Sequence, residues 1–232
     1  MNMNDLILVI LAYLYVFIIV AIGEFLRKKK GFHPMITRRL IHIFAGCIVI
    51  IVPLFSSFLW PMLVPLGLLF LVIYSFKSKS ENPFKSSMVV SGDVVAHAYG
   101  PAYYIISILI LVIIYGYLNK ILAIIIPSYI MAWGDGIVPL LAPKLKKQHK
   151  YPWSQKSIEG SAIVFLFSLL GAIFSSFLYS LLTNTLFYPL IKICFIASLV
   201  GTIVDALTFG PLKHYDNFTI PLISSLVVAI MI

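Results

Sequence analysis

Asp135 stands between two glycines in Ala132-Trp133-Gly134-Asp135-Gly136, closing a run from Ile121 that is apolar enough for a membrane. An ionisable side chain at such depth is costly, and its default meaning is a functional site. The chain has only eight Asp and Glu. Asp205 likewise sits in an otherwise apolar stretch, and Asp216 opens another. Carboxylate oxygens are hard ligands that suit Mg²⁺, while Lys and Arg suit the phosphate oxygens that such an ion bridges. Acids beside dense groups of Lys and Arg are therefore equipment for phosphoryl or nucleotidyl transfer, in which catalysis is positioning plus charge neutralisation.

Four phrases carry this chemistry. In Arg38-Arg39-Leu40-Ile41-His42, a helix would put Arg39 and His42 on one face. In Gly134-Asp135-Gly136 the glycines would loosen a helix and let backbone groups turn toward a ligand. In Lys156-Ser157-Ile158-Glu159-Gly160-Ser161, Ser157 suits a helix cap and the free amides beyond it suit phosphate. The fourth runs from Asp205 to Asp216-Asn217-Phe218-Thr219-Ile220-Pro221-Leu222. Each phrase has a plainer reading as well: a basic anchor, a helix break at Pro127 and Pro139, a first-turn acid at Glu159, an N-cap at Asp216 or Asn217. No P-loop, kinase signature or dinucleotide fingerprint occurs, so a nucleotide would be met by helices and their loops.

The elements that must position these residues are membrane spans. The chain has 232 residues, 61% of them hydrophobic and 11% charged, with mean hydropathy +1.05. A soluble domain would carry about 25% charged residues. A span takes about 20 apolar residues, which predicts eight helices, at 6–26, 40–59, 60–76, 101–118, 121–142, 161–182, 186–207 and a short last one at 218–232. The fold class is thus an all-α polytopic bundle forming one domain over 1–232. The first span has its positive charges behind it, in Arg27-Lys28-Lys29-Lys30, and reads as a retained helix, not a cleaved leader. Cys47 and Cys194 lie in apolar runs and read as packing residues.

Loops 27–39, 77–87, 143–159 and 208–217 fall on one side of this map and hold 15 of the 17 Lys and Arg. The positive-inside rule makes them cytoplasmic and turns both termini outward. The net charge of +9 then marks a membrane surface and not nucleic acid. Glu24, Glu81, Asp93, Asp135, Glu159, Asp205 and Asp216 gather at that same face, and Asp5 alone is outside.

In this order, the four phrases resemble the CTP-dependent polyprenol kinases, the dolichol and phytol kinases and their relatives. Tyr99-Gly100-Pro101-Ala102-Tyr103-Tyr104 is similar to the opening of a middle span in the phytol-kinase-like members. The likeness runs from Arg38 to Leu222. It departs where the Gly-Asp phrase usually continues to a small residue and another Gly, positions held here by Val138 and Ala142.

The resemblance implies transfer of the γ-phosphoryl group of CTP to the hydroxyl of a membrane isoprenoid alcohol at the cytoplasmic face. It implies Mg²⁺ on Asp135 with Asp205 or Asp216. Arg38, Arg39 and Lys156 would hold phosphate, joined by Ser157, the Gly160 and Ser161 amides, Asn217 and the backbone at Gly134 and Gly136. Asp205, Asp216, Glu159 or His42 would accept the alcohol proton. The expected partners are a lipid alcohol, a nucleoside triphosphate and membrane lipids, with no nucleic acid. Two alternatives remain at this level. A CDP-lipid synthase would carry a Lys-Asp, His-Gly-Gly, Asp-Arg-x-Asp signature, which is absent here. A small transporter or scaffold would place its charges near the midplane in matching halves, and no halves match.

Overall fold

The computed structural model describes residues 3–77, 94–209 and 215–232. Glu81, Asp93, Lys213 and nearly all of loop 77–87 lie outside the described residues. What is described is helical, in eight segments separated by turns and loops. They are α1 (Met3–Lys30), α2 (Pro34–Gly46) continued by a 3₁₀ stretch (Cys47–Leu54), α3 (Leu63–Lys77) and α4 (Val94–Tyr117). The fifth is composite: α5 (Leu122–Tyr129), a π-helical turn (Ile130–Asp135), α6 (Gly136–Leu141) and a 3₁₀ turn (Ala142–Lys144). Then come α7 (Ile158–Thr183), α8 (Tyr188–Leu207) and α9 (Asp216–Met231).

Six of these segments are long and apolar enough to cross a membrane, while Leu63–Ser75 and Asp216–Met231 are shorter apolar helices. The outer surface agrees with a hydrocarbon solvent. Ile7, Ile10, Leu14, Phe17 and Ile18 of α1 are exposed, as are Leu166, Leu170, Phe174, Phe177 and Leu181 of α7. Apolar faces of that extent do not stand in water on a monomer.

The composite fifth segment is the axis of the bundle. Every residue of α5 is buried, and α7, α8, α9 and α2 pack around it and its π-turn. Small residues allow the close approach, as expected between helices in lipid. A Cβ on Gly171 would come within 3.0 Å of the Tyr129 carbonyl, and one on Gly201 within 2.9 Å of Ile130 Cγ2. Tyr129 donates to the Cys47 carbonyl at 3.0 Å and Ser168 to that of Ile130 at 3.2 Å, which fixes both edges of the distorted turn.

Several boundaries differ from the sequence expectation, for local reasons. The second segment begins at Pro34, whose fixed φ suits a first turn, with His33 capping the Met35 amide. It ends at Leu54, one residue past Pro53, so Trp60 lies in a turn and not at a helix start. α4 starts at Val94, which puts Pro101 inside the helix. α7 starts at Ile158 because Ser157 caps it, and α9 at Asp216, which occupies its first turn.

Candidate active site

The three acids singled out in the sequence meet. One carboxylate oxygen from each of Asp135, Asp205 and Asp216 lies within 4.8 Å of the others. Each comes from an irregular or terminal part of its helix: the π-turn, the last turn of α8 and the first turn of α9. Proline chemistry contributes. Pro139 has no amide to offer the Asp135 carbonyl four residues back, and that carbonyl accepts from Arg39 Nη1 at 3.4 Å. The same Nη1 donates to Asp135 Oδ2 at 2.8 Å. His42 stands on the same face of α2, its Nε2 3.8 Å from that oxygen and 3.4 Å from the Met131 carbonyl. Its ring packs on Tyr104, centroids 4.4 Å apart.

Lys156 serves Asp205 in the same way. Its Nζ donates to Asp205 Oδ1 and to the Asp205 carbonyl, both at 2.7 Å, and to Thr208 Oγ1 at 2.9 Å. Asp216 Oδ1 accepts the Asn217 amide at 2.8 Å. Among the described residues, Asp135 Oδ1, Asp205 Oδ2 and Asp216 Oδ2 keep lone pairs with no hydrogen-bond or ion-pair partner. Three carboxylates fit a divalent cation by ligand type.

Two cavities with different linings adjoin the trio. One, of about 450 Å³, is lined by Lys156, Ser157, Gly160, Ser161, Gln148, Gln155 and all three acids. The other, of about 230 Å³, is walled by aliphatic side chains of α1, α2 with its 3₁₀ extension, α3 and α4. Its polar end carries Arg38, Arg39, His42, Asp135, Asp216 and Asn217. Asp135 and Asp216 belong to both walls. Gly100 lets α4 approach this neck, since a Cβ there would stand 3.0 Å from Arg38 Nη2 and 3.6 Å from Asn217 Nδ2.

The other residues singled out in the sequence take these partners. Glu159 is outside both cavities. Its carboxylate takes the His149 amide at 2.8 Å and His149 Nδ1 at 2.5 Å, clamping the loop ahead of α7. The amides expected on phosphate are engaged internally. That of Gly160 donates to Ser157 Oγ at 3.1 Å, and that of Ser161 to the Ser157 carbonyl at 2.9 Å. Ser161 Oγ accepts from Tyr151 at 3.1 Å. Gly134 and Gly136 let neighbouring helices approach closely. A Cβ on Gly134 would lie 2.2 Å from Ser168 Oγ, and one on Gly136 2.4 Å from Ile43 Cγ1, so both exist for helix contact. Arg39 and Lys156, expected on phosphate, rest on carboxylates.

Sequence reasoning missed Thr208, Gln148 and Gln155. Thr208 had a readable signal, being three residues beyond Asp205 at a helix end, where its hydroxyl takes the Asp205 carbonyl at 2.6 Å.

No family model matches the chain, and no solved structure does. It is 26% identical over 207 residues, 85% of its own length and 67% of the relative's, to a protein of Glycine max described as probable phytol kinase 1, chloroplastic. At that distance the likeness supports a phytol-kinase-like relationship for a helical protein with several long apolar segments.

Proposed function

We propose that this protein is a lipid-alcohol kinase, moving the γ-phosphoryl group of a nucleoside triphosphate, CTP by resemblance, to the hydroxyl of a membrane isoprenoid alcohol. One observation carries the reading: a chamber walled mainly by aliphatic side chains and a chamber that holds Lys156, Ser157 and all three acids share Asp135 and Asp216 as common wall. A hydrocarbon tail suits the first and a nucleotide the second, so their reactive ends would meet at the acids. The relative's name adds an alcohol acceptor of the same kind.

Asp135 and Asp205 would hold Mg²⁺, with Asp216 as the third ligand or its neighbour. That ion would neutralise charge on the transferring phosphate. Arg39 and Lys156 stand where each can exchange a carboxylate for a phosphate oxygen as the nucleotide enters. Arg38, at the neck, lies within electrostatic reach of Asp135 and Asp216 and suits the γ-phosphate. Asp216 faces both chambers and takes the alcohol proton. The alcohol oxygen then bonds to the γ-phosphorus, the bond to the bridging oxygen breaks, and the nucleoside diphosphate leaves. His42 orients Asp135. In this reading the basic loops and the site face the cytoplasm, both termini face outward, and all eight helices span the membrane.

The test is to give the purified protein lipid alcohols and lipid phosphates with CTP labelled at either the α- or the γ-phosphate. Label from the γ position on an alcohol is expected. Label from the α position would make the protein a cytidylyltransferase, and lipid without label from either would end the enzymatic reading.

A further inference from the structure

The apolar chamber has a definite length: on α4 its wall runs from Gly100 to Val112, about 18 Å at 1.5 Å per residue.

The far end is walled. Ala12 on α1, Phe55 after the 3₁₀ stretch, Pro61 before α3 and Val112 on α4 are the outermost lining residues of the four walls. Beyond Ala12, Val9 is buried, and Trp60 packs on the same cluster. Behind them Asp5, itself 1% exposed, takes the Ser56 amide at 2.9 Å and the Ser56 hydroxyl at 2.5 Å. This buried carboxylate has no part in the proposed chemistry. Its hydrogen bonds tie the start of α1 to the turn that carries Phe55, so the outer end is held shut at a fixed distance from Asp135 and Asp216.

We propose that this closed end is a ruler, and that Ala12 and Phe55 set the longest tail accepted. The proposal rests on the kinase reading for the identity of the headgroup, but the length limit belongs to the chamber alone. A carbon chain advances about 1.25 Å per bond, from a 1.52 Å bond at a near-tetrahedral angle. One isoprene unit, with four chain bonds, takes about 5 Å. The chamber therefore accepts an alcohol tail of about three to four units and rejects much longer polyprenols.

Detergent-solubilised protein is offered alcohols of two to eleven isoprene units, and retained ligand is measured by native mass spectrometry without nucleotide. Phosphorylation of the same panel is measured separately. Retention is expected to peak at three to four units and to be weaker by about tenfold or more at eight. Ala12→Phe fills the end and moves the peak about one unit shorter, whereas Phe55→Ala deepens it and moves the peak longer. The two opposite shifts separate a ruler from a variant that merely folds badly. Retention that keeps rising past five units, or variants that scale all lengths equally, would overturn the ruler while leaving the kinase reading intact. A length peak without phosphate transfer would overturn the kinase reading and leave the ruler.

Discussion

Gly134→Ala is the sharpest single test of how the fold presents Asp135. The added Cβ would lie 2.2 Å from Ser168 Oγ, 3.3 Å from the Val164 carbonyl and 3.4 Å from Ser168 Cβ. The hydroxyl is the one overlap that cannot stand. Ser168 can swing it away only by giving up its donation to the Ile130 carbonyl, at 3.2 Å within the bundle. That loss costs about 1 kcal/mol, and residual overpacking brings the whole to about 1–3 kcal/mol. Ser168→Ala alone also loses the Ile130 bond and costs about 1 kcal/mol. In the double variant the hydroxyl is gone and the methyl meets only the Val164 carbonyl at 3.3 Å and a Cβ at 3.4 Å, so the second substitution should add little. A double-mutant cycle on unfolding midpoints in mixed micelles is expected to give a coupling of about 1–2 kcal/mol. Turnover should follow stability, because Asp135 is the next residue and moves with the turn. Additive losses, or a Gly134→Ala protein as stable as the parent, would refute the packing role and return Gly134 to the ligand.

Asp135→Asn is expected to fold, since its amide oxygen still accepts from Arg39. It should abolish lipid phosphorylation and weaken Mn²⁺ binding, followed by electron paramagnetic resonance, by at least about tenfold. Lys156→Met leaves the buried Asp205 carboxylate without its cation and should lower stability by about 3–5 kcal/mol. Asp205→Asn in the same chain should recover most of that in the same unfolding assay, though not activity. Glu159→Gln should leave phosphorylation within a few-fold of the parent, because Glu159 serves His149 and lines neither chamber; a loss beyond about a hundredfold in initial rates would put it back in the mechanism.

Much of this was legible in the sequence, for a physical reason. Asp135, Asp205 and Asp216 stand out because a carboxylate in an apolar helix has few tolerable surroundings. The cap at Ser157 was legible because the cap is local. The apolar chamber was not. Ala12, Val16 and Val20 of α1 wall a cavity, while Ile10, Leu14 and Ile18 of the same helix face outward. In a membrane protein both faces are aliphatic, so the contrast that reveals a soluble core is missing. Cation partners were illegible for another reason. Arg39 and Lys156 could equally have met phosphate, and the choice of carboxylate depends on helices about a hundred and about fifty positions away.

The placing of the three acids relative to helix ends explains that choice. Asp216 sits at the start of α9, where the helix dipole favours a negative charge, and among the described residues it has no salt-bridge cation. Asp205 sits at the end of α8, where the same dipole opposes a negative charge and the last carbonyls lack amide partners. There the cation is Lys156, and it takes the Asp205 carbonyl as well as the carboxylate. Asp135, in a π-turn with its carbonyl freed by Pro139, is held by Arg39 in the same two-point manner. Each buried acid thus has a cation wherever the backbone around it is also electron-rich, and lacks one where the backbone supplies amides. A phosphate drawn toward Arg39 and Lys156 would loosen both two-point clamps together. Asp135 and Asp205 would then turn more freely toward a metal ion, which predicts that metal and nucleotide strengthen each other's binding.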